Sequence, residues 1–435
     1  MTTIVTRSGK GSPLTNAEMD ANLNNLNNDK LERDGSIPLT SPLQVPLGSV
    51  SAPSVTFTGD TNTGVYSSAS DTVDIAANGV KQASFSPNSL ALNASGTAVT
   101  NVTGLNGGPL SGFRNKIING DMTIAQRGTS FAAIANATYS LDRWIYTKVG
   151  SVVQTVTQST DVPTFGTSGN FKYSLGIQTT TADVSIAAGD VCAIGQRIEG
   201  FNVRDLVGKD ITLSFRVKGA KTGTHCVAFR NSGVDKTYVA EYTINSANTW
   251  ETKSVTITGG LTTDGTWDYT SGVGLNITWA LSCGSTFQTT AGSWQTGNFL
   301  GTSNQVNETD SVSNNFYITG VQLEIGSVPT EFETRSYSQE FSLCSRYFQW
   351  VQCGASIYIA GAGSLGLVPL QFPQMRAVPT GGSIVTDPNV TQSSSNLAAF
   401  ALNTISINGT MFSVQSVSAG TVSALGYRAS LTAEL

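Results

Sequence analysis

The chain has 435 residues, of which 39% are hydrophobic and only 12% charged, with 24 Lys and Arg against 29 Asp and Glu for a formal net charge of −5. With no cluster of several Lys or Arg residues anywhere, this balance excludes an overall attraction to DNA or RNA, so no nucleic-acid partner is expected. The N-terminus carries no apolar secretory core, and the most apolar late stretch, Gly354 to Phe372, is broken by Gly, Ser and Pro and too short to span a bilayer, so the expectation is a soluble protein made in a cytoplasm, without membrane insertion.

Forty-five glycines and a long series of short Val/Ile/Thr/Tyr/Phe runs cut by Gly, Asn, Asp and Ser give an all-β signature. At roughly 100 to 200 residues per domain the length predicts two to four domains with small cores. Small cores are commonly completed by burying apolar faces between identical chains, so an oligomer is expected. The five cysteines, Cys192, Cys226, Cys283, Cys344 and Cys353, are scattered and odd in number, which favours reduced, buried hydrophobes over disulfides or a zinc site. His225 is the sole histidine. A nucleophile and base pair with Cys226 is disfavoured, because neighbours on a strand point to opposite faces.

Residues 1–35 are read as an attachment arm. Thr15, Asn16, Ala17 and Glu18 match a capping box, which opens a helix reaching Arg33 and stopped by Asp34-Gly35. Asn16, Met19, Leu23, Leu26 and Lys30 lay a thin stripe along one side, too narrow to hold a lone helix but suited to a symmetry axis or a larger partner. The segment GSPLTNAEMDANLNNLNNDKLE resembles the N-terminal segment of many bacteriophage tail-fibre proteins, and the resemblance implies binding to the tail through adaptor or nozzle proteins. An exposed amphipathic helix without a special partner is the other reading.

Residues 36–112 carry alternating runs at Phe57–Tyr66, Val73–Val80 and Ala83–Ser86 with Gly-Asp and Asn-Gly turns, the pattern of hairpins. GDTNTGVY followed by DIAANGV resembles the shaft modules of trimeric tail fibres, which implies an intertwined or trimer-packed β shaft. A disordered polar linker is the alternative, and the Phe57, Tyr66, Ile75 and Phe85 anchors argue against it.

Residues 113–335 are bracketed by two motifs. FRNKIINGDMTIAQRGTSF from Phe113, with YSLDRW from Tyr139, resembles the opening of a jelly-roll module of phage tail proteins, and NFYITGVQLEIGSVPTEF from Asn315 resembles its closing strand. In that strand Phe316, Ile318, Val321 and Leu323 are spaced for burial, with one offset at Gly320 and a closing turn at Gly326-Ser327. Between the motifs, Ile211–Val217, Tyr238–Ile244, Lys253–Thr258 and Leu275–Leu281 each alternate in and out, as in a two-sheet sandwich. The module also resembles carbohydrate-binding modules. Sugars present C–H faces to aromatic rings and hydroxyls to short polar side chains, so Trp267, Asp268 and Tyr269 in a loop after Asp264, and Trp294 with Gln295 and Asn298, are the candidate glycan contacts, against a purely structural role for each tryptophan. Trp144 and Trp279 are read as structural. Glycosidase chemistry needs two carboxylates across the scissile bond. Asp264 with Asp268 lie in one loop, Glu331, Glu333 and Glu340 fall in what reads as a solvated linker, and no β-helix repeat is present, so binding without catalysis is expected, with no catalytic residue, metal or cofactor.

Residues 336–435 comprise a connector, YSQEFSLCSRYFQW, and a small C-terminal β domain, the tip. LVPLQFPQMRAVPT from Leu367 resembles a terminal module of tail fibres with an FP-x-x-MR-x-x-PT pattern, and Pro369, Pro373 and Pro379 confine it to edges and turns. Together these readings describe an all-β, elongated multidomain fibre: short N-terminal helix, β shaft, central jelly-roll sandwich and C-terminal β domain. The resemblance implies a homotrimeric tail fibre, part of a virion assembled in a host cytoplasm, that adsorbs to host cell-surface polysaccharide. The alternatives are a structural adaptor carrying another receptor-binding protein, and a polysaccharide-degrading tailspike.

Overall fold

The computed structural model describes residues 4–28, 42, 44–87, 89–92, 113–164, 170–386, 393–395, 397–406, 408–418 and 420–435. They belong to two units, Met1–Val102 and Thr103–Leu435, and the fold is all-β and multidomain, with antiparallel sheets throughout.

In the first unit, helix α1 (Arg7–Lys10) is capped by Thr6 and ended by Gly11 in the left-handed region, a short turn that the sequence reading missed. Helix α2 (Asn16–Asn28) opens on the expected capping box: Thr15 Oγ1 accepts from the Glu18 amide at 3.2 Å and Glu18 Oε2 accepts from the Thr15 amide at 2.7 Å. Its expected continuation to Arg33 and the stop at Asp34-Gly35 lie outside the described residues. Asn22 is bonded both ways to the Val5 backbone at 2.8 and 2.7 Å, so the asparagine ties the preceding chain to the helix. Met19 and Leu23 of the stripe are exposed.

Strands β1 (Val55–Phe57), β2 (Asp60–Tyr66), β3 (Val73–Ala77), β4 (Val80–Ser86) and β5 (Ser89–Leu92) form one meander. The hairpin between β3 and β4 turns on Asn78 (φ 51) and Gly79 (φ 69), two consecutive left-handed residues, as a two-residue hairpin that matches strand twist requires. The side-chain sorting in this sheet is inverted. Tyr66, Asp74 and Ala76 occupy the buried face, whereas Val55, Val65 and Ile75, in register across three strands, and the pair Val73 and Phe85 are exposed; Phe57 is 67% exposed.

The second unit holds β6 (Ser130–Phe131), β7 (Thr138–Tyr139), β8 (Trp144–Val149), β9 (Val153–Ser159), β10 (Ser174–Thr181), β11 (Val191–Glu199), β12 (Ile211–Gly219), β13 (Gly223–Asn231), β14 (Lys236–Ile244), β15 (Glu251–Ile257), β16 (Val273–Cys283), β17 (Trp294–Thr296) and β18 (Asn315–Ile325). They form a jelly-roll-like sandwich of a six-stranded sheet, ordered β15-β12-β18-β10-β9-β6, and a seven-stranded sheet, ordered β17-β14-β13-β16-β11-β8-β7. Trp144, Phe229 and Trp279 from one sheet meet Leu213, Phe215 and Ile318 from the other in a single core. Trp144 and Trp279 are fully buried, as the sequence reading required. In β18 the four expected residues are buried and the pairing with β12 slips opposite Gly320, whose φ is +58. A Cβ there would lie 2.5 Å from the Phe171 ring, so the bulge calls for glycine on both counts.

Two expectations are corrected. Two of the four runs expected to alternate between core and solvent do not: in Ile211–Val217 of β12 every residue but Arg216 is buried, and β16 is buried on both faces after its first residue, with Phe287, Phe299 and Leu300 packed against Ala193, Cys226, Ala228 and Ala280 on the outer side. Glu333 and Glu340 are not in a solvated linker but buried, and they lock the two bracketing motifs together. Glu333 accepts from the amides of Phe113 and Asn115 at 2.6 and 2.7 Å, and Asn115 Oδ1 accepts from the amides of Ile117 and Leu323 at 2.9 and 3.0 Å. Arg335 donates to the carbonyls of Asn115 and Ile117, and Glu340 accepts from the amide of Asn119, itself left-handed at φ 57. The carbonyl of Asn119 receives the Trp144 indole N–H at 3.0 Å.

Helix α3 (Tyr337–Ser345), with a capping box of Ser336 and Gln339, follows this knot. Beyond it, β19 (Phe348–Ile359), β20 (Leu365–Gln371), β21 (Thr380–Thr386), β22 (Ser393–Ser395), β23 (Leu397–Ile405), β24 (Gly409–Ser416) and β25 (Gly420–Thr432) form two small sheets around Val351, Phe372, Met375, Phe412 and Leu431. Pro369 sits in β20, an edge strand. The FP-x-x-MR pattern is structural here: Phe372 and Met375 fill the core, and Arg376 donates to the carbonyls of Ala433, Glu434 and Ser271 at 2.8, 3.0 and 2.6 Å. Arg143 and Arg127 both pair with Glu434, and Trp350 Nε1 donates to the Gln126 carbonyl at 2.9 Å, so these sheets are fastened to the sandwich. Cys192, Cys226, Cys283 and Cys344 are free and buried; the Cys353 side chain lies outside the described residues.

Candidate functional site

The loop from Thr258 to Gly272 joins β15 to β16, and polar side chains of the neighbouring β13–β14 turn hold it. Asn231 Oδ1 accepts from the amides of Asp235 and Lys236, both at 3.0 Å, which closes that turn. Asp235 then accepts from the Thr266 amide at 3.1 Å and its hydroxyl at 2.7 Å, and Gly265 (φ 91) turns the loop beside it. These bonds hold the Asp235 carboxyl down at about 2, the Asn231 amide contributing most. Trp267 is oriented by its indole N–H to the Asp264 carbonyl at 2.9 Å.

On this frame the structure brings three of the four candidate residues into ring contact. Trp267 and Tyr269 lie with ring centroids 6.3 Å apart and planes within 8° of parallel. Trp294 meets Trp267 edge-on at 5.8 Å, and Tyr238 meets Trp294 edge-on at 5.7 Å. Trp294 arrives there because β17 adds to the edge of β14 with Trp294 opposite Tyr238, and because its indole N–H reaches the Gly260 carbonyl at 3.1 Å. All four rings are part-buried, resting on the sandwich core and leaving a rim in solvent. Tyr238 is the member that sequence reasoning missed; only its place at the start of an alternating run marked it. Aromatic contacts of this geometry contribute about 0.5–1.5 kcal/mol beyond area burial.

Asp268, the fourth candidate, is half-buried and serves the loop itself: Oδ1 accepts from the amide and hydroxyl of Thr270, both at 2.6 Å, and these bonds lower its pKa. Asp264 is well exposed, pairs with Lys236, and is lowered by that ammonium. Both are therefore ionised acceptors at neutral pH, and neither has the raised pKa of a general acid. Gln295 bonds Ser293 Oγ at 2.8 Å, while Asn298 accepts from Arg230 at 2.8 Å on the other side of the sheet. His225 is buried against Glu308 (3.1 Å) on the core side, and Cys226 belongs to the cluster on the outer face, so the adjacent pair diverges as strand geometry demands. Among the described residues no group of three or more His, Cys, Asp or Glu is placed to hold a metal ion, and no helix is long and apolar enough to cross a membrane.

No protein-family model matches the chain, and no curated protein does. Among solved structures it is similar to the enzymatically active domain of tailspike protein 4 from bacteriophage CBA120 (16% identity, 50% of this chain and 22% of that chain, TM-score 0.26). It is also similar to a putative sugar binding protein from Bacteroides thetaiotaomicron (11%, 49% and 100%, TM-score 0.29). A third is the family 11 carbohydrate-binding module of Clostridium thermocellum in complex with a β-1,3-1,4-mixed-linked tetrasaccharide (12%, 46% and 97%, TM-score 0.23). At such scores these likenesses say nothing about what the chain binds.

Proposed function

We propose that this chain is the subunit of a homotrimeric bacteriophage tail fibre that adsorbs to host-surface glycans without cleaving them. The observation that carries the binding is the meeting of Trp267, Tyr269 and Trp294, from two separate segments, in one part-exposed aromatic cluster beside ionised Asp264. Ring faces take the C–H surface of a sugar, and carboxylates and backbone carbonyls take its hydroxyls. The lowered pKa values of Asp264 and Asp268 favour binding over hydrolysis, which needs one carboxyl kept protonated.

Trimerisation rests on the inverted sorting in the five-stranded sheet, whose Val55, Phe57, Val65, Val73, Ile75 and Phe85 are exposed among the described residues. Patches of this kind mark interfaces. The tail location and attachment through adaptor or nozzle proteins rest on the likeness of the N-terminal segment to those of tail fibres. Three copies per fibre raise the effective concentration of each further contact, so weak single sites suffice. The test is adsorption of the full-length chain to envelope polysaccharides of candidate hosts, with Trp267→Ala alongside. The variant should stay folded and lose about ten-fold or more in apparent affinity, the product of small losses multiplied over three sites. Undiminished adsorption by Trp267→Ala would refute the site, and absence of adsorption to any polysaccharide would refute the function.

A further inference from the structure

Trp267, Tyr269 and Trp294 come from two segments, the loop 258–272 and the stretch 284–307 around β17, and neither segment contains a Lys or Arg. The side chains that carry charge at the loop are mainly carboxylates. Asp264 and Asp268 belong to it, Asp235 accepts from the amide and hydroxyl of Thr266, and Asp210 Oδ1 accepts from the Gly259 amide at 2.8 Å. Among the described residues two cations bond to the loop, and both are already engaged. Lys236 pairs with Asp264 and donates to Thr296 Oγ1 at 2.8 Å, which ties the loop to β17. Arg376 donates to the carbonyls of Ser271, Ala433 and Glu434. In the Lys236–Asp264 pair the lysine side chain is 17% exposed and the aspartate side chain 72%, so the carboxylate is the end that faces solvent beside the rings.

We infer that the aromatic site takes an uncharged glycan and turns acidic ones away, so that the sugars it contacts carry neither carboxylate nor phosphate. This inference rests on the glycan reading and adds the charge of the ligand to it. Four carboxylates against two cations leave two negative charges uncompensated at the loop, and an anionic sugar on the rings would bring a third beside Asp264. The carboxylates stay ionised, since the Lys236 bond lowers the pKa of Asp264 and the Thr270 bonds lower that of Asp268. A neutral hydroxyl escapes this repulsion and donates to the exposed carboxylate. Two charges at roughly 8 Å disfavour a ligand anion about five-fold in water at low ionic strength. Salt near about 0.5 M screens most of that difference.

Envelope polysaccharide of candidate hosts is separated on an anion exchanger into uncharged and acidic fractions, and adsorption of the full-length protein to each is measured at about 20 mM and about 0.5 M salt. At the lower salt the uncharged fraction should bind at least about five-fold more tightly, and the gap should close at the higher. Thr263→Lys places an ammonium on an exposed position next to Asp264 and should raise binding of the acidic fraction, a gain that misfolding cannot produce. Asp264→Asn, at a side chain in solvent, should narrow the preference with Tm unchanged. Adsorption to neither fraction refutes the glycan reading and this inference with it. Tighter or equal binding of the acidic fraction at low salt, or a preference that neither salt nor Thr263→Lys alters, overturns the inference and leaves the glycan reading standing.

Discussion

The five-stranded sheet of the first unit and the sandwich of the second are built from similar residues and solve burial in opposite ways. The sandwich closes over Trp144, Phe215, Phe229 and Trp279 and covers much of its outer face as well, whereas the smaller sheet hides Tyr66, Ala76 and a carboxylate and leaves Phe57, Val73, Ile75 and Phe85 outside. Stability in the first case resides within one chain. In the second, larger apolar side chains are left exposed.

Three experiments sharpen or break this contrast. The largest effect is expected from Trp279→Ala, which opens a cavity among Trp144 and Phe215 and should cost about 3–5 kcal/mol, read as a fall in Tm. A loss below about 1 kcal/mol would mean the sandwich is not the tightly packed half. Next is the double variant Phe57→Ser, Phe85→Ser. It should leave the sandwich transition unchanged while shifting the assembly toward monomer in sedimentation velocity, each ring removing roughly 1.5–3 kcal/mol of burial per chain. If the wild-type chain sediments as a monomer, the sheet has no such partner and the trimer is wrong.

The smallest effect concerns acid. Burial would raise the Asp74 carboxyl, but hydrogen bonds from Ser68 and Ser84 and the Lys81 ammonium outweigh it and hold the pKa well below the usual range. A depressed carboxylate gives stability that is complete above its unfolded pKa of about 4 and is lost as pH falls through the folded value. Glu308 and Glu340 are raised by burial, so their contribution has the opposite sign and appears as pH falls. Between pH 6 and 3, hydrogen exchange corrected for intrinsic rates should therefore accelerate in the small sheet relative to the sandwich, and Asp74→Asn should flatten the difference. Parallel acid profiles in both units would contradict the assignment.

Much of this architecture is legible in the sequence where a local rule governs it. The Thr15 capping box, the Asn78-Gly79 turn, the slip at Gly320 and the strands around Phe215, Tyr242 and Trp279 follow from short-range pattern alone. What is not legible depends on residues far apart in the chain. Glu333 and Glu340 look like solvated charges because their partners, the amides of Phe113, Asn115 and Asn119, are more than 200 residues away. The double-sided burial of β16 needs the segment around Phe299 to fold over the sheet. Trp267 and Trp294 are visible as aromatics in polar loops, but their contact depends on β17 finding the edge of β14.

The position of β18 also bears on how the chain is made. This strand is the last long one of the sandwich to be synthesised, yet it lies between β12 and β10 in the middle of the six-stranded sheet. At a translation rate of roughly 5–20 residues per second, the stretch from Gly219 to Asn315 takes roughly 5–20 s, during which β10 and β12 wait with facing edges unpaired. A nascent chain of this design is exposed to mispairing on the ribosome until residue 325 has emerged, and its yield should depend on growth temperature and holding chaperones more than the stability of the finished sandwich suggests.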